Sequence, residues 1–298
     1  MKILLLGKNG QVGRELQRTL LPLGQVVALG RSELDFDSMD DIGRVLKSHA
    51  PNLIVNAAAY TGVDRAESEV EAAFRVNAEA VKVIADYARE RDACLVHYST
   101  DYVFDGRKDA PYVEQDAANP QSVYGRSKRE GEIAIEESGC NFLVFRTSWV
   151  FSAHGTNFIK TILRLAAERT SLGVVDDQFG APTSAELISD VTALAIAAHF
   201  RGGLAAGIYH LAASGRTSWY GLACHILEYA RRLEFPLTLS PEGLKAITTA
   251  DYPLPAKRPA NSLLSTKALT SRVGLSLPDW RLHVDRTLDQ ISGEGKKQ

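Results

Sequence analysis

The 298-residue chain is 45% hydrophobic and 23% charged, the proportions of an ordinary globular protein, which excludes disorder and fibrous repeats. Its 34 Lys and Arg against 36 Asp and Glu leave a net charge of −2, and without a basic excess neither a nucleic-acid backbone nor an anionic membrane is an expected partner. Cys94, Cys140 and Cys224 form no metal-ligand or disulfide pattern and fit a reducing cytoplasm, and no run approaches the ~18 apolar residues of a membrane span.

Along the chain, short apolar runs alternate with amphipathic stretches. Strands are expected at residues 3–6, 26–29, 53–56, 94–98 and 142–145, and helices at about 12–21, 39–48, 66–91 and 123–137. This βαβ rhythm predicts an α/β fold, a Rossmann-type doubly wound parallel sheet whose ligands lie beyond the carboxyl ends of the strands. After about residue 147 the rhythm loosens. A helix at 157–168, a strand near 172–175, a helix at 185–199, a strand near 208–212 and a helix around 220–232 precede a Pro-rich stretch, 236–259, of loop with short strands. The tail, 292–298, is expected to fray.

Gly7, Gly10 and Gly13 lie three apart, directly after the first strand and opening a helix. Glycines there let the backbone turn sharply and approach a pyrophosphate, whose charge meets helix N-terminal amides. The spacing G-x-x-G-x-x-G differs from the usual G-x-G-x-x-G, so a phosphate cradle and a merely structural turn both stand. The second strand ends in Gly30-Arg31, where an NADH enzyme places an acid. A cation there suits the 2′-phosphate of NADPH, with an ordinary surface arginine as the alternative. Asp35 and Phe36 either flank an adenine or form a turn, and the small residues 57–59 either admit a nicotinamide ribose or pack a helix.

The fourth strand runs into His97-Tyr98-Ser99-Thr100-Asp101-Tyr102, a polar cluster at the expected ligand edge. Tyr124 and Lys128 follow, four apart on one face of a helix. A ketone reductase needs a proton donor for the alkoxide formed as hydride arrives. A phenol of pKa about 10 serves if a nearby ammonium draws it towards neutrality. Thr100, or Ser99, would hydrogen-bond the same oxygen. Arg258 and Lys257 either meet a nucleotide diphosphate or form surface salt bridges.

In this order, Gly7/Gly10/Gly13, Ser99-Thr100-Asp101 and Tyr124/Lys128 resemble the extended short-chain dehydrogenase/reductase superfamily. Residues 7–13, 99–104, 146–151, 177–183 and 258–262 are similar, across nearly the whole chain, to the dTDP-4-dehydrorhamnose reductase family. That resemblance implies NADPH-dependent reduction of the C4 ketone of dTDP-4-dehydro-6-deoxy-L-mannose to dTDP-L-rhamnose, the last step towards an activated sugar for cell-surface polysaccharide. It makes Tyr124 the proton donor and Lys128 the residue that holds the nicotinamide ribose and tunes Tyr124. It sets Thr100 and Asp101 on the sugar, Trp149 against it, and Arg258 and Asn261 on a substrate-side loop. Gly10, Gln11, Val12, Asp35, Phe36, Ala59, Tyr60 and Thr61 would line the cofactor.

Under the same resemblance, residues 1–147 and about 184–213 form the cofactor-binding domain, and 148–183 with 214–298 a smaller substrate lobe. Relatives often carry an acid where Gly30 stands, which favours NADPH and leaves NADH a second reductant. Glu15 and Glu186 match a Mg²⁺ site at a subunit contact, but Gln290 replaces a further carboxylate, and a hard cation needs charged oxygens. No tightly bound metal is therefore expected; a homodimer is. Two rival readings remain: another nucleotide-sugar reductase or epimerase, and a non-catalytic regulatory subunit resembling that of methionine adenosyltransferase.

Overall fold

Strand β1, Lys2–Leu6, is apolar after its first residue because both its faces are covered. Ile3 and Leu5 enter one core cluster, Leu4 and Leu6 the other. All four are at most 1% exposed, and each such side chain contributes about 2 kcal/mol to burial. The computed structural model describes residues 1–295. Beside β1 lie β2, Gln25–Leu29, and β3, Leu53–Asn56. Then come β4, Cys94–Thr100, β5, Asn141–Thr147, and a last strand, Gly207–His210. The order is Gly207–His210, β5, β4, β3, β1, β2, with every pairing parallel. The order reverses between β1 and β3, which opens the crevice where a doubly wound sheet takes its ligands.

Helices Met39–His49 and Ala80–Glu90 bury Ile42, Leu46 and Ile84 against Leu4 and Leu6, while Gln11–Thr19 and Ala185–Phe200 bury Leu16, Ile188 and Val191 with Leu5. Smaller pairings build the lobe beyond β5: Val150–Phe151 with Thr183–Ser184, Phe179–Gly180 with Thr217–Ser218, and Leu172–Val175 with Leu244–Ile247 from the Pro-rich stretch. Among the described residues no helix is long and apolar enough to cross a membrane.

Three elements differ from expectation. The helix expected over 66–91 is broken into Val63–Ala66, Val70–Phe74, a wide π turn at Arg75–Glu79, and Ala80–Glu90. The turn delivers Asn77 to hydrogen-bond partners across the fold, and such turns gather at functional sites. Helices Lys267–Val273 and Trp280–Gly295 lie where none was expected. Trp280, Val284 and Leu288, all buried and four apart, are the helical signal in the second. The tail is helical through residue 295, and 296–298 lie outside the described residues.

Candidate active site

On the cofactor side, the turn between β1 and the next helix demands two of its three glycines. Gly7 has φ +86°, and a Cβ on Gly13 would stand 2.1 Å from the Gly7 carbonyl oxygen. A Cβ on Gly10 would meet only that oxygen, at 3.4 Å, so the turn itself does not require Gly10. Gln11 points its side chain at the lobe, where Oε1 accepts from Ser152 Oγ at 3.2 Å and Asn157 Nδ2 at 3.0 Å. Val12 packs against the core.

Arg31 is exposed after β2. The acid missing at position 30 returns from further along, because Glu33 accepts the Gly30 N–H at 2.8 Å and the Ser32 hydroxyl at 3.0 Å and pairs with Lys8. Lys8 and these hydrogen bonds hold Glu33 down at about 2. Asp35 builds the turn, accepting from the Asp37 amide at 2.9 Å, and Phe36 packs beneath it. Ala59 is half-buried and Thr61 exposed. Between them Tyr60 donates its hydroxyl to Glu69 at 2.6 Å and its amide to Asn77 Oδ1 at 2.9 Å. Asn77 Nδ2 in turn reaches Ser127 Oγ at 3.0 Å, bracing this loop against the helix that carries Tyr124.

The end of β4 and helix Val123–Ser138 bring Thr100, Asp101, Tyr124 and Lys128 into one region. Ser122 caps the helix, its hydroxyl accepting the Gly125 N–H at 3.1 Å. Thr100 Oγ1 donates to Asp101 Oδ1 at 3.1 Å. Burial pushes the Asp101 carboxyl up to about 6, against the Ser262 and Thr100 hydroxyls. Burial also pushes Tyr124 up to about 12, with the Thr100 hydroxyl pulling it down and the Asp101 charge adding to the rise. Tyr102 stands edge-on to Tyr124, ring centroids 5.5 Å apart.

Lys128 lies one helical turn beyond Tyr124. Its Nζ donates to the Tyr98 carbonyl at 2.6 Å and lies 3.1 Å from His97 Nε2, and no hydrogen bond joins it to Tyr124 among the described residues. The side chain runs down onto β4, where these two groups are its partners. Burial lowers Lys128 to about 8, with Glu132 opposing. Glu132 is itself buried and held by Arg146 at 2.8 and 2.7 Å.

On the substrate side, Trp149 sits at φ +50°, a strained conformation for an aromatic residue. Its ring stacks on Trp219 at 3.5 Å with 8° between planes, and Gly180 lies against its indole. Arg258 and Asn261 are spent elsewhere. The Arg258 guanidinium donates to both Asp64 oxygens, at 2.9 and 2.7 Å, and to the Ala256 carbonyl at 2.9 Å. Asn261 Nδ2 donates to the Lys108 and Ala110 carbonyls at 2.6 and 3.0 Å, while Oδ1 accepts the Leu263 amide at 3.0 Å. These bonds fix the loop on the substrate side.

Glu186 likewise faces Arg286 Nε and Gln290 Nε2, each at 2.7 Å. A carboxylate paired to a guanidinium is a poor ligand for a hard cation, so this donor set does not fit Mg²⁺. Asn77, Glu33 and Trp219 escaped the sequence reading, while His97 and Asn56 entered it only as residues at strand ends. A buried-strand histidine beside the Ser-Thr-Asp run and an asparagine inside an apolar helical pattern were their only signals.

Residues 1–292 match the RmlD substrate binding domain family. The chain is 49% identical over 288 residues to a dTDP-4-dehydrorhamnose reductase of Burkholderia thailandensis, covering 95% of this chain and 97% of that one. It is 48% identical over 295 residues to that of Escherichia coli, covering 98% of each. A crystal structure of the Bacillus anthracis dTDP-4-dehydrorhamnose reductase in complex with NADP superposes with TM-score 0.87 at 31% identity, over 97% of this chain and 99% of that one.

Proposed function

Because the chain belongs to the dTDP-4-dehydrorhamnose reductase family, we propose that its cleft reduces the C4 ketone of dTDP-4-dehydrorhamnose to dTDP-L-rhamnose, with Tyr124 as proton donor. One observation carries the assignment of roles: Thr100, Asp101 and Tyr124 gather at the carboxyl end of β4, beside the crevice of the sheet. The reduced nicotinamide supplies the hydride. Tyr124 gives its proton to the oxygen at C4, Thr100 hydrogen-bonds that oxygen, and burial of Asp101 keeps water from competing. Trp149, stacked on Trp219, offers a flat apolar wall to the sugar.

In this reading residues 1–147 and about 184–213 hold the cofactor, and 148–183 with 214–298 hold the dTDP-sugar. Gly10 and the amides of Gln11 and Val12 meet the pyrophosphate, with Gly7 and Gly13 shaping the turn. Asp35, Phe36, Ala59, Tyr60 and Thr61 form the walls. Arg31, exposed after β2, suits a 2′-phosphate, so NADPH is the preferred reductant; Glu33, held at Gly30, suits ribose hydroxyls and supports NADH as a second. The residues around Glu186 give no step to Mg²⁺.

The test is NADPH and NADH oxidation by purified protein with dTDP-4-dehydrorhamnose generated in situ, beside Tyr124→Phe. Wild type consumes NADPH faster than NADH and yields dTDP-L-rhamnose, and the variant loses about 10²-fold or more in turnover. An unimpaired variant removes Tyr124 from the chemistry. An inert wild type with verified substrate overturns the reading as a whole.

A further inference from the structure

Beneath Tyr124, three buried side chains form a line that the proposed reaction leaves unused. The β3–β4 register sets Asn56 beside His97. Asn56, His97 and Lys128 are 1%, 1% and 2% exposed, so they must complete their hydrogen bonds among themselves and with the backbone.

The Ala58 amide donates to Asn56 Oδ1 at 3.1 Å, which turns Asn56 Nδ2 towards His97 Nδ1 at 3.2 Å. An amide nitrogen only donates, so Nδ1 must accept, and the proton of a neutral imidazole then sits on Nε2. That N–H faces Lys128 Nζ, 3.1 Å away, whose other partner is the Tyr98 carbonyl. A neutral amine satisfies both contacts, giving an N–H to the carbonyl and a lone pair to the ring. An ammonium has no lone pair, so two donors would face each other. Turning Asn56 over only moves the conflict to the Ala58 amide. Charging the ring does not resolve it either, because Nδ1–H would meet the Asn56 amide.

We infer that Asn56 and His97 are positioning residues that hold Lys128 on β4 as its uncharged amine and release it towards Tyr124 as the ammonium. The inference rests on Tyr124 serving the reaction as proposed. Tyr124 gives its proton to the oxygen at C4, and the Lys128 ammonium returns a proton to the tyrosinate oxygen. The resulting amine takes up its contact with the His97 N–H, and water later restores its proton. Of the titratable groups facing Lys128, Glu132 on its own helix favours the ammonium, and His97 on β4 is kept uncharged by burial.

Two near-isosteric variants test this through the pH profile of kcat. Asn56→Asp keeps an acceptor for Ala58 and offers another to a His97 Nδ1–H, freeing Nε2 to accept from the ammonium. His97→Gln lets an amide oxygen do the same. Both should move the alkaline fall of kcat up by about one pH unit, a roughly tenfold change in the proton equilibrium of Lys128. Nitrogen-15 NMR of the wild type should show His97 protonated on Nε2, and in Asn56→Asp on Nδ1. Unmoved alkaline limbs in both variants, or an Nδ1–H ring in the wild type, overturn the inference. If the variants do not fold, the wild-type tautomer decides. If Tyr124→Phe retains full turnover, the proposed reaction fails separately, and the tautomer still judges the Asn56–His97–Lys128 arrangement.

Discussion

The end of β4 and the loop at residues 258–261 are both short polar motifs beside the cleft, and the fold uses them in opposite ways. At the end of β4, sheet pairing with β5 continues to Thr100 opposite Thr147 and so serves the backbone. The side chains of Thr100 and Asp101 face one another and Tyr124, and beyond these Thr100 Oγ1 accepts one amide, that of Tyr102, at 3.2 Å. The 258–261 loop has a single isolated bridge, Phe179 with Asn261, and its side chains do the work a sheet does elsewhere. Asn261 bonds three backbone groups, and Arg258 bonds Asp64 and a carbonyl. A polar side chain is available to a ligand when its surrounding backbone is already satisfied.

The largest effect that would break this contrast is at β4. Thr100→Val keeps shape and removes the hydroxyl, and should cost about 10²-fold in kcat with little change in melting temperature. A normal kcat would put Thr100 with the structural loop. Next comes Asn261→Ala, which strands two carbonyls and an amide and should lower the unfolding free energy by about 2 kcal/mol in a denaturant titration. A raised KM for the sugar without lost stability would return Asn261 to the substrate side.

The smallest effect is at the Asp64–Arg258 pair, whose side chains are 36% and 19% exposed. Asp64→Asn should cost about 1 kcal/mol or less. The hydrogen bond from Arg258 holds the Asp64 carboxyl below its usual range. Its contribution is therefore present above the unfolded value of about 4 and lost as pH falls through the lower folded value. Wild type and Asp64→Asn should differ in stability at pH 7 and converge in acid, and a gap that persists in acid would show that the pair's charge does not matter.

The sheet was legible because buried parallel strands read as continuous apolar runs, as at Ile3–Leu6 and Leu53–Asn56. Gly7 and Gly13 were legible as a tight turn for the same local reason. The π turn at Arg75–Glu79 was not, since its apolar spacing reads as uninterrupted helix and only the partners of Asn77 explain the break. Glu33 was missed because the position of an acid after β2 depends on how the chain folds back on Gly30, not on adjacency. Tyr124 and Lys128 on one helix were legible from their spacing, but a helix period sets only direction, while the Tyr98 carbonyl and His97 decide where Nζ ends.

The sequence by itself determined the α/β sheet, the glycine turn, the polar end of β4 and the family, because these rest on local periodicity and ordered motifs. Tertiary structure alone decided that Arg258 goes to Asp64, that Glu186 goes to Arg286 and Gln290, and that Lys128 ends against the Tyr98 carbonyl and His97. The physical reason is that a hydrogen bond between residues distant in sequence, buried from water, is set by every group that competes for the same lone pair or proton.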